Sequence, residues 1–382
     1  MTGAVISPLW IRTPTDLVQL AEQLAESPEV AIDTEGDSLH HYPERLALVQ
    51  VADVKGGVWL VDPLALDDLS ALGALTADSR IVVVLHAGSN DLAHLKRRHS
   101  FTFARIFDTS IAARFLGVPN LGLDALLATF LDVELPPSRQ RDDWSVRPLS
   151  ESQERYAAAD VLHLIPLAAR LRDDLRGKGR LEWVEEECAA MAAQPVPEPV
   201  EDPDAYARLK GARDLSARGL GALRELYDLR ERLALAADRP PFKILSDAIL
   251  VQLAARLPAD RDALATVPGC TERVIGRWGE PILAAIARAP ETVPAISGAP
   301  SRGRRPSNPM RRRIEALRLW RAVAAERIGL ETGLVLPNRL IGAIAEAAPR
   351  DRAELEAVPG LRRWRVETFG VEVLATIATI GP

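Results

Sequence analysis

Cysteine is scarce in this 382-residue chain. Its two thiols, Cys188 and Cys270, sit in segments of different character, which points to neither a disulfide framework nor a zinc site. A reducing cytoplasm is the simplest setting. No run of about 18 apolar residues occurs, so no membrane-spanning helix is expected. The opening MTGAVISPLWIRT lacks a charged start leading into an apolar core, so no secretory signal is expected there. Basic charge is not in excess either: 47 Lys and Arg against 53 Asp and Glu leave a net charge of −6. That excludes a uniformly basic nucleic-acid coat, while leaving room for local basic patches and a carboxylate-rich metal site. Apolar residues, by contrast, are abundant at 47%. A proper core is available, and the length suits two or three domains of ~100–200 residues.

The first part of the chain alternates strand and helix patterns. VAID (30–33), LALVQVAD (46–53) and GVWLVD (57–62) read as successive strands, rich in β-branched residues and bounded by turn signals. Residues 64–75 then read as a helix, RIVVVLHA (80–87) as a buried strand, SNDLAHLKRR (89–98) as a helix and ARIFDT as a short strand. Helical patterns follow to about Ala193, including one long run from about Glu151 to Leu175. An α/β domain with a mixed sheet, three strands in meander and then β-α-β units, is expected over 1–194. AAQPVPEPVEDPD (192–204) has four prolines and four acids and marks a linker at 195–207.

The remainder is helical in period and repeats itself. ILSDAILVQLAARLPADRDALATVPGC (244–270) aligns with VLPNRLIGAIAEAAPRDRAELEAVPGL (335–361) at an offset of 91, continuing through Trp278-Gly279 against Phe369-Gly370. Two small all-helical domains follow, at 208–290 and 310–382, joined by a Pro/Gly/Arg-rich linker at 291–309.

Asp33 and Glu35 lie two residues apart at a strand end, so both carboxylates project from one face. Like charges so close repel, and burying them is costly unless a divalent cation resolves it; oxygen ligands suit Mg²⁺ or Mn²⁺. An exposed strand end with solvated acids would look the same. Asp91 follows a buried strand near a helix start, where it is either a site acid or a helix cap. Tyr156 and Asp160 are spaced i, i+4 and share one helix face, which also suits a buried tyrosine bonded to an acid.

In this order and spacing these residues resemble the DEDD exonuclease superfamily, in the branch whose last motif carries tyrosine. DDWSVRPLSESQERYAAAD (142–160), with Trp144, Arg147-Pro148-Leu149 and Gln153, resembles the ribonuclease D family in particular. The duplicated helical segment resembles two HRDC domains. The sequence departs from the family at ELPPSRQRDD, with prolines where a lysine is common, and at His163, where a tyrosine is common; both bear on substrate contacts rather than on the acids. The resemblance implies a ribonuclease H-like exonuclease fold and 3′→5′ hydrolysis of RNA by one nucleotide at a time, in the maturation of tRNA or another structured RNA. It implies two divalent cations, Mg²⁺ or Mn²⁺, clamping the attacking and leaving oxygens. Asp33 would bridge both, Glu35 and Asp160 complete the first site, Asp91 hold the second through water, and Tyr156 orient the attacking water. The partner is RNA with a free 3′ end. Hydrolysis of DNA in repair is the alternative, since nothing in the residues distinguishes the two.

Candidates for substrate contact are His40, Tyr42, Trp144, Arg147, Arg311, Arg312 and Arg313. The last three belong to SRGRRPSNPMRRRIEALRLWR (301–321), with eight arginines and one acid, which suits a phosphate track or a solvated face. Trp320 and Trp364 suit a helical core. A rival pattern also exists: Gly36-Asp37-Ser38, Gly88-Ser89-Asn90-Asp91 and Asp160-Val161-Leu162-His163 match the blocks of a GDSL-type serine esterase in order. That pattern places Asp160 and His163 inside a helix, leaves Asp33, Glu35 and Tyr156 without a role, and gives no reason for the helical repeat. A binding scaffold with dead catalytic acids is a further class, disfavoured because all four acids and the tyrosine are present.

Overall fold

The computed structural model describes residues 7–197, 202–291 and 307–380. Most of the linker at 291–309, with Arg302, Arg304 and Arg305, lies outside the described residues. The first domain holds a six-stranded mixed sheet: β1 Leu9–Ile11, β2 Glu29–Gly36, β3 Leu46–Asp53, β4 Val58–Val61, β5 Val82–Leu85 and β6 Ile106–Asp108. The spatial order is β1-β4-β3-β2-β5-β6. β3 and β4 run antiparallel, whereas β1 pairs parallel with β4, β2 with β5 and β5 with β6. β3 is buried at every position, as expected of a strand covered on both faces. The meander and the β-α-β units expected from the sequence are both present.

Eight helices flank the sheet: α1 Pro14–Leu24, α2 Ser70–Ala77, α3 Ser89–His99, α4 Thr109–Leu116, α5 Leu123–Leu131, α6 Glu151–Leu162, α7 Leu164–Gly177 and α8 Leu181–Ala193. Neither β1 nor α1 was expected from the sequence, although α1 carries a start signal: Thr13 accepts the Asp16 amide and Pro14 opens the helix. The helix expected at 64–75 begins only at Ser70. Asp62 accepts the Leu64 amide and Asp68 the Ser70 amide, so side chains compete with the helical ladder there. The long run expected from Glu151 to Leu175 is two helices broken at His163. Pro166 lacks the N–H that would continue the first helix, and its ring crowds the carbonyl of residue 162.

Beyond residue 202 all regular structure among the described residues is helical. By its internal contacts the chain divides into two units, one of 1–35, 46–197 and 305–382, the other of 36–45 and 198–304. In the first unit the second helical copy shares one hydrophobic core with the sheet domain. Trp364 stacks on Trp183 of α8, centroids 4.6 Å apart at 18°, and meets Phe115 of α4 edge-on. Glu186 of α8 accepts the amides of Arg363 and Trp364, capping the last helix, Arg363–Ala378, which has no cap of its own. Glu187 accepts from the Trp364 indole and from Arg362, and pairs with Arg365. In the second unit the first helical copy has a separate core, against which Tyr42 packs.

Candidate active site

β2 emerges from beneath the core with Val30, Ala31 and Ile32 fully buried. The next residues carry the chemistry. Strand alternation sends Asp33 and Glu35 to one side, where they meet Asp160 of α6. Ligand oxygens of all three lie within 4.8 Å of one another. α6 is held against β3 and β4 and starts in a capping box, in which the Gln153 amide donates to Ser150 Oγ and the Ser150 amide to Gln153 Oε1. That fixes Tyr156 and Asp160 one turn apart, both buried. Asp91, in the first turn of α3, accepts a hydrogen bond from the Thr34 hydroxyl, which ties it to the strand between the two β2 acids.

The electrostatics are those of a crowded cluster of acids. Burial pushes Asp33 far above the ordinary carboxylate range, and Asp91, Asp160 and Glu35 push it further. Glu35 is pushed up to about 9 by burial, then by Asp160 and Asp91. Burial lifts Asp160 to about 7 and raises Asp91 also. The Tyr156 hydroxyl is driven well above its usual range by burial and by the Asp160 and Glu35 carboxylates. It is a neutral donor at physiological pH, not a base. An all-oxygen set of mutually repelling acids fits a hard divalent cation, and the residues that would hold one are Asp33, Glu35 and Asp160, with Asp91 alongside.

All four acids and Tyr156 line one open cleft of about 920 Å³. Residues beside the acids line it as well. His86 lines it, its Nδ1 2.9 Å from the Thr109 hydroxyl and its pKa lowered by burial. So do Asn90 and Asp124, and so do Pro136, Pro137 and Gln140. The latter belong to the ELPPSRQRDD segment, so its departure from the family pattern falls on the wall of the cleft.

The expected substrate contacts fare differently. Trp144 is fully buried and packs behind Tyr156, ring centroids 6.1 Å apart, so it supports the tyrosine and reaches no substrate. Arg147 is likewise structural. Its guanidinium donates to both Asp62 oxygens and to the Trp144 and Ala47 carbonyls. The Tyr42 hydroxyl donates to Glu231 and the His41 ring meets Asp238, within the unit of the first helical copy; His40 lies in the same segment, half-buried. Arg311, Arg312 and Arg313 lie in the first turn and a half of the helix Asn308–Ile328. Arg312 is exposed, whereas Arg313 donates to the Ala345 carbonyl. For the esterase pattern, Asp37 is buried and committed to the Arg45 amide and guanidinium, and Asp160 belongs to the acid cluster.

The comparisons with known proteins agree with this geometry. The profile of a 3′-5′ exonuclease family matches residues 8–176, and the HRDC domain profile matches 219–286 and 310–377. Ribonuclease D of Gluconacetobacter diazotrophicus is 34% identical over 374 residues, covering 96% of this chain and 92% of that protein. Ribonuclease D of Pseudomonas paraeruginosa is 33% identical, covering 96% of each. The crystal structure of Escherichia coli RNase D superposes with a TM-score of 0.70 at 28% identity, covering 98% of this chain and 99% of that one. With its acid cluster and tyrosine at the end of β2 and on α6, and with this likeness running almost the full length, the chain belongs to the ribonuclease D family of 3′-5′ exonucleases.

Proposed function

We propose that the chain releases nucleoside monophosphates one at a time from RNA 3′ ends, by divalent-metal-dependent hydrolysis, and that it acts in the cytoplasm on tRNA precursors or other structured RNA. The observation that carries this is the convergence of Asp33, Glu35, Asp91, Asp160 and Tyr156 in one open cleft. The RNA preference rests on the ribonuclease D relatives, of which the Escherichia coli protein is described as an exoribonuclease involved in structured RNA processing. The cytoplasmic setting rests on two buried, unpaired cysteines and on the absence, among the described residues, of a helix long and apolar enough to cross a membrane.

Asp33, Glu35 and Asp160 would hold one cation, and Asp33 with Asp91 a second. Bound there, the cations supply positive charge against the carboxylates and Lewis acidity toward phosphoryl oxygens. The chain's own side chains do the positioning. Thr34 fixes the Asp91 carboxylate through its hydroxyl. Tyr156, kept protonated by its surroundings, hydrogen-bonds the attacking water and aims it. Trp144 backs the tyrosine ring and holds that aim.

The test is incubation of a 3′-tailed RNA, and of DNA of the same sequence, with Mg²⁺, Mn²⁺ or chelator. Mononucleotides should accumulate from RNA with metal only, and Asp33→Asn or Asp160→Asn should abolish most of the release while the fold persists. Full activity in excess chelator would overturn the proposal.

A further inference from the structure

The two helical copies use one face in opposite ways. In the first copy a groove of about 310 Å³ is lined by Arg239, Lys243, Arg273 and Arg277 over an apolar floor that includes Ile244 and Trp278. All four cations are exposed, and none lies in an ion pair among the described residues. No acid lines the groove. Asp238, the acid next to Arg239, is taken by the His41 ring and the Tyr42 amide. The Arg277 guanidinium lies over the Trp278 ring, 5.1 Å from its centroid, and both line the groove.

At the 91-residue offset the same four positions in the second copy are Leu330, Leu334, Trp364 and Thr368. The first three are buried, and Trp364 stacks on Trp183 of the sheet domain. The face is thus an apolar docking surface in the second copy. In the first it is cationic and open. Burying four unpaired cations against an apolar partner would be prohibitive, so an occupant of this face must bring negative charge.

We propose that this groove is a phosphate-backbone track for a single RNA strand. The inference deepens the exoribonuclease reading and rests on it for the choice of RNA. Four cations without local acids neutralise phosphates and release counterions, so binding through them falls with salt.

The experiment uses the full-length protein in chelator, where hydrolysis stops, and reads the anisotropy of a 5′-labelled unstructured RNA of about 30 nucleotides between about 50 and about 200 mM KCl. Arg273→Ala/Arg277→Ala should flatten the log–log salt slope by roughly 1.4, at roughly 0.7 for each phosphate no longer neutralised, and weaken low-salt binding about tenfold or more. Arg273→Lys/Arg277→Lys should keep the slope, which separates charge from fold; Lys243→Ala alone should flatten it by roughly 0.7. Release of nucleotides from a tetranucleotide with Mg²⁺ should be the same in all of them. Unchanged slopes in the alanine variants would overturn the track, including the case in which an acidic protein segment occupies the groove. Changed slopes in a protein that releases no nucleotide would leave the track standing and overturn the exoribonuclease reading instead.

Discussion

Metal-free protein should lose stability as the pH rises through neutrality, and Asp160→Asn should abolish much of that loss. Burial moves Asp160 from an ordinary 3.8 to about 7, and Glu35 from 4.5 to about 9. In the unfolded chain both return to about 4. Between these values the folded state binds more protons than the unfolded one, so the unfolding free energy falls as pH rises. The stability is fully present below about pH 4 and is lost progressively up to about pH 7 for Asp160 and about pH 9 for Glu35. At ~1.36 kcal/mol per pH unit, the Asp160 displacement alone corresponds to about 4 kcal/mol. A cation that binds the ionised cluster reverses the trend. Its stabilisation, ~2.7 kcal/mol at a hundred times Kd, requires the deprotonated acids and therefore grows with pH. The assay is thermal unfolding from about pH 4 to about pH 8.5, in chelator and in excess Mg²⁺, for wild type and Asp160→Asn. Near pH 4 the two proteins should melt closest together, because Asp160 is then largely protonated in the folded and the unfolded chain and a protonated Asp160 resembles asparagine. Near pH 8.5 in chelator the variant should melt several degrees higher, at roughly 2–4 °C per kcal/mol. Mg²⁺ should raise the wild type and not the variant. A wild-type-to-variant difference that stays flat across the range would refute the reasoning.

Tyr156→Phe should still bind RNA in chelator but turn over ~10²–10⁴-fold more slowly; unchanged turnover at saturating RNA would reduce the residue to packing behind the cleft. Glu187→Ala strands Arg365, 6% exposed, without its carboxylate. It should cost about 3 kcal/mol in urea unfolding, and an unshifted midpoint would show that the second helical copy is held by its aromatics alone. Arg313→Ala should cost about 1.5 kcal/mol, because its guanidinium holds the Ala345 carbonyl. Arg312→Ala, at an exposed site, should leave stability within about 0.5 kcal/mol. If Arg312 touches phosphate, the salt slope of RNA binding should flatten by roughly 0.7; an unaltered slope would leave it a solvated face.

The acids and the tyrosine were legible because each pair rests on a local period. Alternation along a strand puts Asp33 and Glu35 on one face whatever the fold around them, and one helical turn does the same for Tyr156 and Asp160. Asp91 came from its place after a buried strand. The mixed sheet followed from β-branched runs and turn signals. The short β1 escaped because three residues carry no period. The break at His163 was written in Pro166 but outweighed by the apolar rhythm on either side.

Local spacing thus pairs Asp33 with Glu35 and Tyr156 with Asp160, and it reveals most of the sheet and the two helical copies. Burial and partnership depend on the packed chain. A tryptophan before a motif reads equally as a stacking platform or a core ring; Trp144 became the latter because β3, β4 and α6 close over it. Arg147 gave up its candidate role to Asp62 and Ala47, partners 85 and 100 residues away. The pairing of Leu330, Leu334 and Trp364 with three cations was visible in the alignment of the copies. Its meaning was not, because the cost of burying a charge depends on what lies opposite, and the alignment contains no opposite side. Packing supplies it: Trp183 and Phe115 cover the face in one copy, and the same face in the other keeps its cations because they remain in water.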